Sequence, residues 1–169
     1  MKSVIIYLIS FLLSFSAYSQ HILSGKVIAV ADGDTFTMLT GGNTQVKIRL
    51  HGIDCPEKKQ DFGNVAKQYT SAQVFGKTVQ AKVLKQDRYK RSIAIVMLPN
   101  GKNLNHELLK AGMAWHYKQY DKSREFDLLE KQARAIKTGL WKGKNPIAPW
   151  EFRKMIRQRK PAAHAFTLN

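Results

Sequence analysis

Along residues 45–50 the chain alternates: Val46, Ile48 and Leu50 fall on one side, and Gln45, Lys47 and Arg49 on the other. A period of two marks a strand with one buried face, so Arg49 projects from the polar side together with Lys47. Two further β-rich runs, 26–31 and 35–40, are separated by Asp32-Gly33-Asp34. Gly41-Gly42-Asn43 follows as a hairpin turn, because glycine supplies the positive φ such turns need. Residues 77–86 and 91–98 read as two more strands, joined by Asp87-Arg88-Tyr89-Lys90. Helical spacing covers 64–75, with Asn64 as N-cap and Gly76 as stop, then 103–111 before Gly112, and 123–138 before Gly139. Beyond Trp141 the periodicity fades. Arg153, Lys154, Arg157, Arg159 and Lys160 form a basic tail with no apolar stripe. Five strands, interrupted by one helix and followed by two, predict an α+β fold: a five-stranded OB-type β-barrel packed with about three α-helices.

Composition fits one such unit. The 169 residues are 44% apolar, enough for a single domain with its own core and too few for two. No internal repeat is visible. The first residues stand apart: Met1-Lys2 precedes a nearly unbroken apolar run over 4–15, and Ala17-Tyr18-Ser19 has the small residues read by a signal peptidase. A membrane anchor would need roughly 20 apolar residues, which this run does not reach. The expected organisation is a signal peptide over 1–19, a folded domain over 20–150 and a basic tail over 151–169. The protein is therefore expected to be exported, to the periplasm or the medium, with no stable membrane association after cleavage. Cys55 is the only cysteine, which excludes an intrachain disulfide and a cysteine-based zinc site. The five histidines are scattered singly.

Charge changes the picture more. Lys and Arg number 28 against 12 Asp and Glu, a formal net charge of +16. A field of that sign concentrates polyanions, so nucleic acid, acidic glycan or anionic membrane are the natural partners. It does not by itself imply catalysis. Against that background, Asp32, Asp34, Asp54 and Glu57 crowd into two loops. Asp32-Gly33-Asp34 taken alone reads as an ordinary turn. It is no EF-hand, since counting twelve positions from either aspartate reaches Asn43 or Gln45 rather than glutamate. In Asp54-Cys55-Pro56-Glu57 the proline stiffens the loop and holds Cys55 extended. If the two loops meet, their carboxylates repel unless a hard cation, calcium most naturally, sits between them. Arg49 and Arg91 then supply guanidinium forks suited to phosphate. Each arginine alone is an ordinary solvated residue; the combination carries the information.

Taken together, "VADGDTF", "KIRLHGIDCPE" and "DRYKR" resemble the thermonuclease, or staphylococcal nuclease-like, family in order and interval, and the similarity continues through "NLNHELLKAGMAW". It spans residues 25–141. The resemblance implies an OB barrel with helices and a Ca2+-dependent, sugar-nonspecific endonuclease that leaves 3′-phosphate ends on DNA and RNA. It implies Asp34 and Asp54 as calcium ligands, the Cys55 backbone carbonyl as a third, and Asp32 as an acidic neighbour of the metal. It also implies Arg49, Glu57 and Arg91 as the catalytic trio, with Arg88 and Tyr89 near the nucleotide's phosphate. Two departures stand out: Cys55 replaces a threonine or alanine and leaves a thiol beside the site, and Lys90 replaces a frequent glycine. The family's pair of base-stacking tyrosines has no unambiguous match; Trp115, Tyr117 and Tyr120 are the candidates, with core packing an equal reading for Trp115.

The expectation is a monomeric endonuclease acting on single-stranded DNA, RNA and accessible double-stranded DNA. The alternative is a non-catalytic OB-fold nucleic-acid-binding module, which needs the basic groove and aromatics but not Asp34, Asp54, Glu57, Arg49 and Arg91 kept together.

Overall fold

Alternation along five strands becomes a closed surface in the computed structural model, which describes residues 21–159. The expected signal peptide, and Lys160 with the rest of the tail, lie outside the described residues. Strands β1 (His21–Asp32), β2 (Thr35–Thr40), β3 (Thr44–Leu50), β5 (Thr78–Gln86) and β6 (Ser92–Met97) close in the order β1-β2-β3-β6-β5. The β3–β6 contact is parallel and brings Arg49 opposite Ile93; β1–β2, β2–β3, β1–β5 and β5–β6 are antiparallel. Closure leaves no free sheet edge in the barrel. The expected five-stranded OB-type α+β architecture is thus the one observed. A two-residue ladder, β4 (Ile53–Asp54) against β7 (Trp115–His116), lies outside the barrel.

The inward positions are those the alternation assigns. Phe36 and Met38 on β2, Ile48 and Leu50 on β3, and Ala94 and Val96 on β6 are buried. Helices α1 (Gly63–Val74) and α2 (Leu104–Lys110) extend the same core through Ala66, Val74, Leu104, Leu108 and Leu109, and Phe126 of α3 (Arg124–Ala135) joins it. Burial of the larger of these side chains, the Phe, Met, Ile, Leu and Val, contributes about 1.5–3 kcal/mol each. Asn103 and Ser123 cap α2 and α3 through their side-chain oxygens.

Three local expectations are corrected. Helix α1 starts at Gly63, not Asn64, after Phe62 in a left-handed conformation (φ 64°) that offers no side-chain cap. Gly63 packs so closely on the Glu57 carbonyl that no Cβ would fit, so a tertiary contact sets this helix start. Helix α3 ends at Ala135 rather than 138, because the chain turns through Lys137 (φ 50°) to bring Gly139 against Gly112.

The third correction concerns the basic tail. Residues Pro149–Arg159 form a fourth helix, α4. It lacks a long apolar stripe and is held instead by its first turn. Pro149 is buried, and the Trp150 ring stacks on Tyr117 at 4.9 Å with 12° between planes. Proline at the start, Glu151 in the first turn and Arg157 and Arg159 in the last suit a helix and its dipole.

Candidate active site

The acidic loop after β3 is pinned from several sides. Gly52 (φ 69°) turns the chain, and Ile53 and Asp54 then pair with His116 and Trp115. The Arg49 guanidinium reaches back along its own loop, its Nη1 donating to the carbonyls of Leu50 (2.7 Å) and Ile53 (2.8 Å). Fully buried Asn105 donates to the His51 carbonyl at 2.9 Å. On the far side, a Cβ on Gly33 would stand 2.8 Å from the Cys55 Cβ and 2.9 Å from its Sγ. The close approach of the two acidic bends therefore depends on a residue without a side chain.

The bends do meet. Asp34 Oδ2 accepts the Cys55 N–H at 2.8 Å, and its Oδ1 accepts the Thr35 hydroxyl at 3.0 Å. One guanidinium nitrogen, Arg49 Nη2, lies 3.1 Å from Asp34 and 2.8 Å from Asp54. Both aspartates are buried, Asp34 6% and Asp54 2% exposed. Arg153 of α4 completes the ring of charge, with Nη2 2.7 Å from Asp54 Oδ2 and Nη1 2.6 Å from Glu57 Oε1.

Within this cleft the carboxylates of Asp32, Asp34, Asp54 and Glu57 cluster beside two guanidinium groups, Arg49 and Arg153, a local excess of two formal negative charges, while Lys85, Arg88, Arg91 and Arg157 line the remainder with Asp87. The excess is felt. Burial, with the neighbouring Asp34 and Glu57 charges, pushes the Asp32 carboxyl up. Burial also raises Asp54; the hydrogen bond from Arg153 opposes this and Asp34 adds to it. Conversely, burial works against the Arg49 charge, and Asp34 and Asp54 more than offset it, so its proton affinity rises. A set of hard oxygen donors short of two positive charges fits a hard divalent cation. The Cys55 thiol is not among the donors, because it packs in the core against Gly33 and Ala66. Burial raises it well above the usual thiol range, so it stays protonated and inert rather than standing free beside the site.

Asp32, Asp34, Arg49, Asp54, Cys55, Glu57, Arg88, Tyr89, Arg91, Tyr117 and Tyr120 all line one cleft of about 820 Å³. Lys90, just before Arg91, takes the left-handed conformation (φ 60°) that glycine adopts readily. Arg91 pairs through Nε and Nη2 with Asp87 at 2.8 Å, and the Asp87–Arg91 unit sits beside Tyr89. Burial opposes the Asp87 charge, but the Arg91 backbone and side-chain hydrogen bonds outweigh it and hold the carboxyl below the usual range. Tyr89 and Tyr120 are exposed, and Tyr117 carries Trp150 on one face and Tyr120 at its edge. Trp115 does not line the cleft: its ring packs with Trp141 under the Arg134 guanidinium.

Sequence reasoning missed Arg153 and Trp150. Proline followed by tryptophan and glutamate, ahead of a basic run, was a legible helix start. That the helix would dock on residues almost a hundred positions earlier was not. Among the described residues one other group of potential ligands occurs, His116, Asp127 and Glu130. Asp127 already pairs with Lys118 and Lys131 (2.6 Å each) and Glu130 with Arg134 (3.0 Å), so these acids are neutralised by neighbours and lie outside the cleft.

Comparison of the sequence with known proteins returns proteins named as nucleases. The family model described as "Staphylococcal nuclease homologue" matches residues 47–143, from within β3 to a point before α4. A Haemophilus influenzae protein named "Uncharacterized endonuclease" is 41% identical over 152 residues, covering 88% of this chain and 85% of its own. An Escherichia coli protein of the same name is 40% identical over 131 residues, covering 78% and 85%. The "Micrococcal nuclease" of Shigella flexneri is 35% identical over 140 residues, covering 77% and 80%.

Proposed function

The chain belongs to the staphylococcal nuclease homologue family, and we propose that it is an exported, monomeric, calcium-dependent endonuclease that cleaves DNA and RNA without sequence preference and leaves 3′-phosphate ends. One observation carries the reading: in a strongly basic molecule, Asp34 from one bend and Arg49, Asp54 and Glu57 from another converge on a single cleft that buries both aspartates. A binding module gains nothing from burying carboxylates where a polyanion must lie.

Asp34, Asp54 and the Cys55 carbonyl would hold the ion, whose chemistry when bound is Lewis-acid polarisation of a non-bridging phosphate oxygen. Glu57, half-exposed at the cleft, orients the attacking water and takes up its proton. Arg49, whose Nη2 lies between Asp34 and Asp54, would offset charge that grows on the phosphoryl oxygens in the five-coordinate transition state once the ion takes over those two carboxylates. Arg91 adds a second guanidinium; Asp87 engages its Nε–Nη2 edge, leaving Nη1 outside that pair. The new P–O bond forms to water, the bond to the 5′-oxygen breaks with its electron pair, and the phosphate remains on the 3′ side. Arg88 and Tyr89 steer the adjoining phosphate, and Tyr117 and Tyr120 offer aromatic surface to a base.

The test is direct. Purified protein lacking residues 1–19 is incubated with single-stranded DNA in calcium or in chelator. Cleavage in calcium alone is the expected result. Retarded but intact DNA in both samples would instead establish a binding module.

A further inference from the structure

The Glu57 carboxylate meets a residue outside the 47–143 span matched by the family model. Among the described residues, the only side chain that meets its carboxylate is Arg153, at 2.6 Å. The Glu57 backbone is fixed separately, its N–H donating to Gln60 at 3.1 Å. A glutamate side chain retains several rotatable bonds, so a fixed backbone does not fix the carboxylate. Arg153 supplies the missing constraint because its other nitrogen is anchored on Asp54 Oδ2 at 2.7 Å. Asp54 is 2% exposed and held in the β4–β7 ladder, so it is a rigid reference point. One planar fork thus sets the distance between the buried aspartate and the half-exposed glutamate.

Helix α4 holds that fork in place. Its Trp150 lies flat on Tyr117 and meets Trp115 edge-on at 5.7 Å, and Gln60 donates to the Ile147 carbonyl just ahead of the helix. Burial works against the Arg153 charge, and the hydrogen bonds to Asp54 and Glu57 more than offset it, raising its proton affinity. Both Nη atoms face carboxylates, so gripping a substrate phosphate with the same edge would release Glu57. We propose that Arg153 is a positioning residue of the nuclease site, acting through Glu57 and carried into place by α4. The assignment rests on the nuclease reading above.

The experiment compares wild type, Arg153→Ala, Arg153→Lys, Glu57→Gln and the double variant R153A/E57Q in calcium, each first checked for an unchanged melting transition. A lost water-activating geometry is expected to lower kcat about 10- to 100-fold in R153A, with KM within about threefold. R153K, which keeps charge but not the fork, recovers part of the loss. In the E57Q background R153A should cost little more, because the pathway is already broken. Binding of an intact oligonucleotide in chelator, read by fluorescence anisotropy, should change less than about threefold in R153A. Equal kcat in R153A and wild type, full additivity with E57Q, or a tenfold loss of oligonucleotide binding each overturns the assignment. An inactive wild type overturns the nuclease reading and this assignment with it; an active wild type beside an equally active R153A overturns this assignment alone.

Discussion

The Cys55 amide donates to Asp34 Oδ2 at 2.8 Å, joining two acidic bends that are 21 residues apart in the chain. The bond leaves the thiol in the core and aims the backbone, not the sulfur, at the carboxylate. It also orients Asp34 so that the same oxygen meets Arg49 at 3.1 Å. Asp34→Asn keeps an acceptor for the amide but removes one negative charge from the donor set. Calcium binding, followed by titration calorimetry, should weaken at least about tenfold. Unchanged affinity would remove Asp34 from the ion site.

Arg49 is 12% exposed in its side chain and spans two carboxylates and two loop carbonyls. An ammonium group cannot reproduce that fork. Arg49→Lys is therefore expected to lower kcat by about a hundredfold and to reduce stability by roughly 1–3 kcal/mol, as buried acceptors lose donors. Denaturant midpoints and single-turnover cleavage measure the two effects separately.

Gly33 has no room to grow. An alanine Cβ there would stand 2.8 Å from the Cys55 Cβ and 2.9 Å from the Ala66 Cβ. Gly33→Ala should destabilise the fold by about 1–3 kcal/mol through overpacking and weaken calcium binding by parting the bends. A melting curve identical to wild type would show that the bends tolerate separation.

Asp121 ties the aromatic side of the cleft to the barrel, through Ser123 Oγ at 2.6 Å, His116 at 3.0 Å and His51 at 3.2 Å. Burial opposes its charge, but the Ser123 and His116 hydrogen bonds outweigh it and hold its carboxyl below the usual carboxylate range. A depressed carboxyl stabilises the fold above its unfolded pKa, about 3.9, and that contribution is lost as pH falls through the folded value. Asp121→Asn should thus melt below wild type between about pH 5 and 7, with the gap closing below about pH 4. A gap independent of pH would mean that the charge contributes nothing.

The basic surface should bind phosphate backbone without reading bases. With Glu57→Gln as an uncleaving probe, oligonucleotide affinity is expected to fall linearly on a log–log plot against salt. Arg88→Ala should reduce the magnitude of that slope by about one. An unaltered slope would place Arg88 outside the phosphate path.

Alternation along β3, glycine turns and helix caps such as Asn103 and Ser123 act within a few residues, so the strands and three of the helices were legible from the chain alone, while closure of the strands into a barrel was not. Also legible was the crowding of Asp32, Asp34, Asp54 and Glu57 into two loops, a local anomaly within a chain of +16 net charge. What the chain could not disclose were contacts made across the fold. Gly63 against the Glu57 carbonyl moved a helix start, and Gly139 against Gly112 ended another early. Arg153 met Asp54 and Glu57 through a helix that docks with Trp150 on Tyr117. Periodicity reports which face of an element avoids water, a property of neighbours in sequence. Which charged groups end up sharing a buried site depends on the summed packing of distant elements, and that was decided only when the barrel closed and α4 docked.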